Sequence, residues 1–197
     1  MIKQYMKGWL VAAGAVLITI TAAAQYQYQP LQSARGRFRQ EFLKQINEVR
    51  HQGCTCGTTY MPPAPPLTWN SYLERAATGH AVDMARLQYF NHTSKDGRTM
   101  EDRIALGGYV FNGYKSFAIG ENIAMGQQTI DEVMNGWINS PGHCKNLMNP
   151  SFKEVGVAEY NNYWVQDFGG RTSWSPQEQQ MIKSGRMSIV QEHSSSH

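Results

Sequence analysis

The stretch "FKEVGVAEYNNYWVQDFGG", residues 152–170, narrows most what this chain can fold into. Val155, Val157 and Ala158 lie on one side of Asn161-Asn162, and Tyr163, Val165 and Phe168 on the other. Two apolar runs of period near two, meeting at two asparagines, predict a β-hairpin with a two-residue turn. Upstream the period changes. "RFRQEFLKQINEVRHQG" carries Phe38, Phe42, Ile46 and Val49 at helical spacing, with Gly53 as a stop. "NSYLERAATGHAVDMARLQYF" is a helix with Asn70 or Ser71 as cap and Leu73, Ala76, Ala77, His80, Met84 and Leu87 on one face. "TMEDRIALGGY" is a shorter helix capped by Thr99, and "TIDEVMNGWINS" a helix with a Thr129–Glu132 capping box that stops at Pro141. "FAIGENIAMG" is apolar, broken by glycine and extended, whereas the four prolines of "CTCGTTYMPPAPPLTWN" make a stiff connector. Helices first and an antiparallel sheet later predict an α+β fold of packed layers rather than βαβ units.

The start of the chain has a different character. Lys3 and Lys7, an apolar run from about Trp9 to Ile20, and Ala22-Ala23-Ala24 follow the order of a secretory signal peptide. The run is short for a bilayer span, which takes about 20 residues. The expectation is cleavage after Ala24, a secreted protein (periplasmic or extracellular) and no stable membrane span afterwards. Without residues 1–24 the chain keeps 16 basic and 15 acidic residues, a net charge of +1. That balance gives no basis for nucleic-acid binding. The organisation expected is a signal peptide at 1–24, a flexible lead-in at 25–37, one domain at 38–172 and a C-terminal tail at 173–197. The tail starts a helix at Pro176 and ends in polar residues of little pattern.

Export gives the three cysteines meaning, because an oxidising compartment permits disulfides. Cys54 or Cys56 joined to Cys144 closes a loop of about 90 residues, a staple worth about 4 kcal/mol. Three reduced thiols are the alternative. A zinc site is disfavoured, since a fourth ligand and CxxC spacing are absent.

Of six histidines, His80 lies on an apolar helix face and reads as a bonded core residue. His92 and His143 lie just past helices, in turns rich in Asn, Ser, Gly and Pro, where function concentrates. Glu121 is a lone acid in the apolar run "IGENIAMG", either buried and paired or turned into a cleft. Two imidazoles and a carboxylate suit a divalent transition metal, and they equally suit a polar network among themselves. No GxSxG elbow, HExxH pair or phosphate loop is present.

The stretches "LTWNSYLERAATGHAVDMA", "YFNHTSKDGRT", "GENIAMG", "WINSPGHCKNLMNPSFKEVGVA" and "YWVQDFGG" resemble, in order, those of the CAP superfamily (SCP domains) in its bacterial secreted form. The resemblance covers about residues 40–170. It implies a three-layer α-β-α sandwich with a central, mainly antiparallel sheet. It also implies a cleft lined by two histidines and two glutamates that can hold zinc or another divalent cation. His92, Glu121 and His143 match three of the four. The second glutamate, expected in a W-x-x-E pattern, is missing: Trp137 is followed by Ile138, Asn139 and Ser140. Asn139 or Ser140 would then contact a ligand or water in the cleft. The resemblance makes Cys56 the partner of Cys144 and Cys54 the odd thiol. The reading that follows is a secreted, non-catalytic domain binding a lipid, peptide or cell-envelope component. A metal-dependent, protease-like hydrolase is the alternative.

Overall fold

A computed structural model describes residues 34–197, so the leader and most of the lead-in lie outside the described residues. Residues 34–52 are helical (α1), and the compact unit described below spans Glu41–His197. Gly53, at φ +74°, ends α1, a backbone angle that glycine adopts without strain. The proline-rich connector is not wholly irregular. Its first residues form a small hairpin, β1 (Cys54–Cys56) and β2 (Thr59–Met61), that the prolines obscured in the sequence.

Then follow β3 (Thr68–Trp69), α2 (Ser71–Leu87), α3 (Met100–Leu106), β4 (Ser116–Met125), α4 (Ile130–Asn139), α5 (Pro141–Met148), β5 (Glu154–Tyr160), β6 (Tyr163–Thr172), α6 (Pro176–Lys183) and β7 (Glu192–Ser196). Asn70 caps α2 by accepting from the amides of Tyr72 and Leu73, and Thr99 and Asp102 form a full capping box on α3. At α4 half of the expected box is present. Thr129 accepts from the Glu132 amide, but the Glu132 carboxylate takes the Gln128 amide instead. Pro141 does not simply break the chain. It opens α5, because its fixed φ suits the first helical position. His143 therefore stands in the first turn of a helix rather than in a loop.

The main sheet has the order β3-β5-β6-β4-β7. Its three long strands, β5, β6 and β4, are antiparallel, and the hairpin turns at Asn161 and Asn162, both with positive φ. The two edge strands run parallel to their neighbours. Alternation assigns the two faces. On one face, Phe117 and Ile119 of β4 pack with Leu73, Ala76 and the α3 residues Met100 and Ile104, while Ile123, Val165 and Ala158 pack with Ala77, Ala81 and Met84 of α2. On the other face, Trp164 meets Phe42 of α1, which also packs on Trp137 of α4. The result is the expected α+β sandwich, with helices on both faces of the sheet.

The second helical layer is fastened by two devices. Cys56 and Cys144 form a disulfide across 88 residues of sequence, with Cys54 as a free thiol beside it, its Sγ 3.2 Å from that of Cys144. Arg50 of α1 is fully buried and donates to the carbonyls of Pro65 (2.7 Å), Leu147 (2.6 Å), Asn149 (3.1 Å) and Phe152 (3.4 Å). Burial lowers its pKa to about 10, so it stays charged at neutral pH and ties α1, the connector and the exit of α5 together.

Candidate functional site

His92 is placed by two neighbours. The Asn91 side chain accepts from the Thr93 amide and shapes the turn. The backbone carbonyl of Asn91 accepts from Nε2 of His80, at 2.9 Å, inside the α2 layer. A carbonyl can only accept, so His80 carries its proton on Nε2. Burial lowers the His80 pKa and keeps the ring neutral. His80 is thus a bonded core histidine, and its bond holds the loop that carries His92. His92 in turn donates from Nδ1 to Oε1 of Glu121 at 2.7 Å.

Glu121 lies on β4, on the face covered by α2 and α3, and is fully buried. Its second oxygen, Oε2, accepts from Nη2 of Arg103 at 2.7 Å. Arg103 also reaches Ser94 Oγ and the Arg98 carbonyl. Burial pushes the Glu121 pKa up, but the His92 hydrogen bond and the Arg103 charge outweigh it and hold the carboxyl ionised. Directly across the ladder on β6 stands Asp167, on the same face and also fully buried. Burial, reinforced by the negative charge of Glu121, drives the Asp167 pKa well above the ordinary carboxyl range. The two acids therefore divide: Glu121 is charged and Asp167 neutral. Among the described residues no N–H group reaches either Asp167 oxygen, and the group its proton faces is the Glu121 carboxylate.

Sequence reasoning missed Arg103 and Asp167. The signal was present in both cases. Arg103 shares the buried face of α3 with Met100 and Ile104, and Asp167 follows Val165 at the inward period of β6.

The opposite face of β4 carries an amide network. Asn122 donates to Gln166 Oε1 (2.9 Å) and to the His143 carbonyl (3.2 Å). Asn146 of α5 donates to Asn122 Oδ1 (3.0 Å) and the Glu121 carbonyl (3.2 Å). This network fixes α5, and so His143, against the strand. The half-buried His143 ring has a pKa lowered by burial and by the charge of His92. Asn139 is exposed on α4, and its amide bonds back to Asn135 within the helix. Ser140 links α4 to α5 and makes no side-chain capping bond.

The histidine that comes within 4.8 Å of both His92 and Glu121, counting one ligand atom from each, is His197. His143 falls outside that group. The His197 ring centroid is 5.1 Å from that of His92, and burial with the His92 charge lowers its pKa. The donor chemistry suits a divalent cation in one respect. Glu121 occupies Nδ1 of His92 and orients the ring, leaving Nε2 as a metal donor, and neutral imidazoles suit zinc. Direct ligation by Glu121 is opposed by the Arg103 cation already on its other oxygen.

A sandwich with a histidine bonded to a buried glutamate of its central sheet defines a class of domain. The family model described as the cysteine-rich secretory protein family, CAP, matches residues 43–168, and the chain belongs to that family. An uncharacterised Bacillus subtilis protein, YkwD, is 38% identical over 113 residues, which is 54% of this chain and 40% of that protein. The B. subtilis uncharacterised membrane protein YlbC is 34% identical over 102 residues, 52% of this chain and 28% of its own length. The chain thus spans less than half the length of these relatives. Among solved structures, an extracellular SCP-domain protein of Bacillus anthracis aligns at TM-score 0.52 and 30% identity, covering 66% of this chain and 40% of that one. An outer surface protein of Borrelia burgdorferi aligns at TM-score 0.54 and 24% identity over 68% of this chain and 92% of its own, a likeness of fold.

Proposed function

We propose that the protein acts outside the cytoplasm as a non-catalytic CAP domain that binds a ligand at the edge of β4, beside His92 and Glu121. The observation that carries this reading is the commitment of Glu121. Both its oxygens are taken, by His92 and by Arg103, in a fully buried position. A general base needs a carboxylate free to take a proton from substrate or water. Asp167, the neighbouring acid, is already neutral and out of solvent reach. The hydrolase alternative therefore has no evident base among these two acids.

Secretion is supported by the signal-like leader and by likeness to an extracellular and an outer surface protein. Among the described residues, no helix is long and apolar enough to cross a membrane. A divalent cation such as zinc would be held by His92 with a second imidazole, His143 or His197, while Glu121 orients His92. It would supply a Lewis-acid contact to an oxygen or nitrogen of the ligand.

Isothermal calorimetry with zinc on the mature chain tests the reading, beside His92→Ala and Arg103→Met variants. One zinc bound by the parent, lost in His92→Ala and tighter in Arg103→Met, supports a cation-capable ligand cleft governed by these residues. Zinc-dependent cleavage of a casein or peptide-library substrate, abolished by chelation, would overturn the non-catalytic assignment.

A further inference from the structure

Residues 192–196 carry no strand pattern in the sequence, yet they lie along β4 as a parallel strand, from Ser116↔Glu192 to Gly120↔Ser196. This strand is held differently from the rest of the sheet. Glu192, His193, Ser194 and Ser195 are exposed and Ser196 only half-buried, whereas β4 and β6 are buried along most of their length. Three side-chain contacts accompany the ladder. The His193 ring stacks on Phe117 at 5.2 Å between centroids, Ser196 Oγ donates to Asn146 Oδ1 at 2.7 Å, and His197 lies against His92. A segment fastened by ladder bonds and little apolar burial opens at low free-energy cost.

The receiving surface is shaped apart from its occupant. Asn146 is 4% exposed and fixed by its own bonds to Glu121 and Asn122, and its Oδ1 accepts from the arriving strand. Gly120 leaves the space for that approach: a Cβ there would come 2.8 Å from Ser196 Oγ and 2.6 Å from the Phe152 ring. A groove of about 520 Å³, lined by Pro150, Ser151, Lys153 and the small Ser194, remains beside the strand. Main-chain ladder bonds recognise any extended polypeptide, and side pockets add selectivity.

From this we infer that the β4 edge is a docking groove for an extended peptide added as a parallel strand, and that residues 192–197 occupy it in cis as a displaceable, tethered ligand. The inference rests on the ligand-binding reading above and names the ligand's class. Tethering gives the segment a high effective concentration, so an external peptide must compete with it. The occupied state covers His92 with His197, and displacement uncovers it.

The experiment is fluorescence polarisation with a labelled peptide of the sequence Gln191–His197, QEHSSSH, on three mature proteins. These are the full chain, a chain ending at Gly185, and a full-length Ser194→Pro/Ser195→Pro variant whose prolines cannot complete the ladder. Circular dichroism reports folding, and zinc calorimetry runs in parallel on the full chain, which keeps His197 beside His92. The expected result is binding to the truncated or proline protein at least about tenfold tighter than to the full chain, weakened by Asn146→Ala in the same background. Equal binding by the full chain would overturn the tethered-occupant inference. No peptide binding by a folded, undocked chain, with zinc taken up by the full chain, would sink the peptide groove and leave the cleft reading standing. Neither peptide nor zinc binding would remove both. If truncation and prolines both unfold the protein, β7 is a structural strand and the inference falls.

Discussion

Two arginines are buried among the described residues, and they do opposite things. Arg50 is surrounded by main-chain carbonyls and faces no carboxylate among its hydrogen-bond partners. Arg103 is paired with Glu121 across 2.7 Å, next to a neutral Asp167 and a histidine. The first is a fastener whose partners are peptide groups fixed by the fold. The second is one member of a set of charges that balance one another. The comparison teaches that burial of a charge does not by itself mark a site. A site is marked by several ionisable groups that set each other's charge state.

The comparison breaks most plainly at Arg50. Arg50→Leu strips the donor from several buried carbonyls, each worth about 1–3 kcal/mol when left unmade, so a loss of upwards of about 4 kcal/mol is expected in urea denaturation. No single second substitution restores it, because the partners are backbone.

The disulfide of the same region gives the next effect. Cys144→Ser removes the cross-link and costs about 4 kcal/mol on the loop-entropy account. Cys56→Ser costs less than about 1 kcal/mol, because Cys54, whose Sγ is 3.2 Å from that of Cys144, forms the replacement bond and closes a loop of similar length. Non-reducing peptide mapping of Cys56→Ser checks it; a free Cys144 thiol would refute the exchange.

Arg103→Met leaves Glu121 without its main cation and costs about 3 kcal/mol, as breaking a buried pair does. Here rescue is expected: adding Glu121→Gln removes the stranded charge and recovers most of the loss. A double variant no better than the single one would mean that Arg103 is a fastener like Arg50.

The smallest effect sharpens the contrast through pH. The Asp167 pKa is raised in the folded protein, so its contribution is full below the unfolded carboxyl pKa and is lost as pH rises toward the folded value. Glu121, whose folded pKa is lowered, contributes above its unfolded pKa and loses that as pH falls. Asp167→Asn keeps the neutral form permanently. Its stability relative to the parent is therefore expected to improve from pH 5 to pH 8, by urea midpoints at each pH. A stability difference that stays constant over that range would show Asp167 ionised in the folded protein.

The local signals were legible because their causes are local. Asn70 and Thr99 cap by reaching amides two or three residues on, and Asn161-Asn162 turns the hairpin through its own backbone preference. His80 was readable as core from its helix face. His143 was misplaced into a turn, since a serine-proline step reads as a break as readily as a helix start. The capping acid Glu132 was found, but its carboxylate took the Gln128 amide, one residue before the cap.

The sequence by itself determined the layer type, the β5–β6 hairpin, the helices other than α5, the caps of α2 and α3, and the family to which the chain belongs. It singled out His92 and Glu121 because a polar residue in an apolar setting is conspicuous in one dimension. Only the tertiary structure decided what surrounds Glu121. Asp167 reaches it across a strand ladder, Arg103 from another layer, and His197 from the far end of the chain. The physical reason is range. Caps and periods act over a few residues, whereas the charge of a buried group is set by neighbours that the folded backbone brings in. A strand such as β7, held largely by peptide groups that any sequence supplies, leaves almost no trace in its side chains.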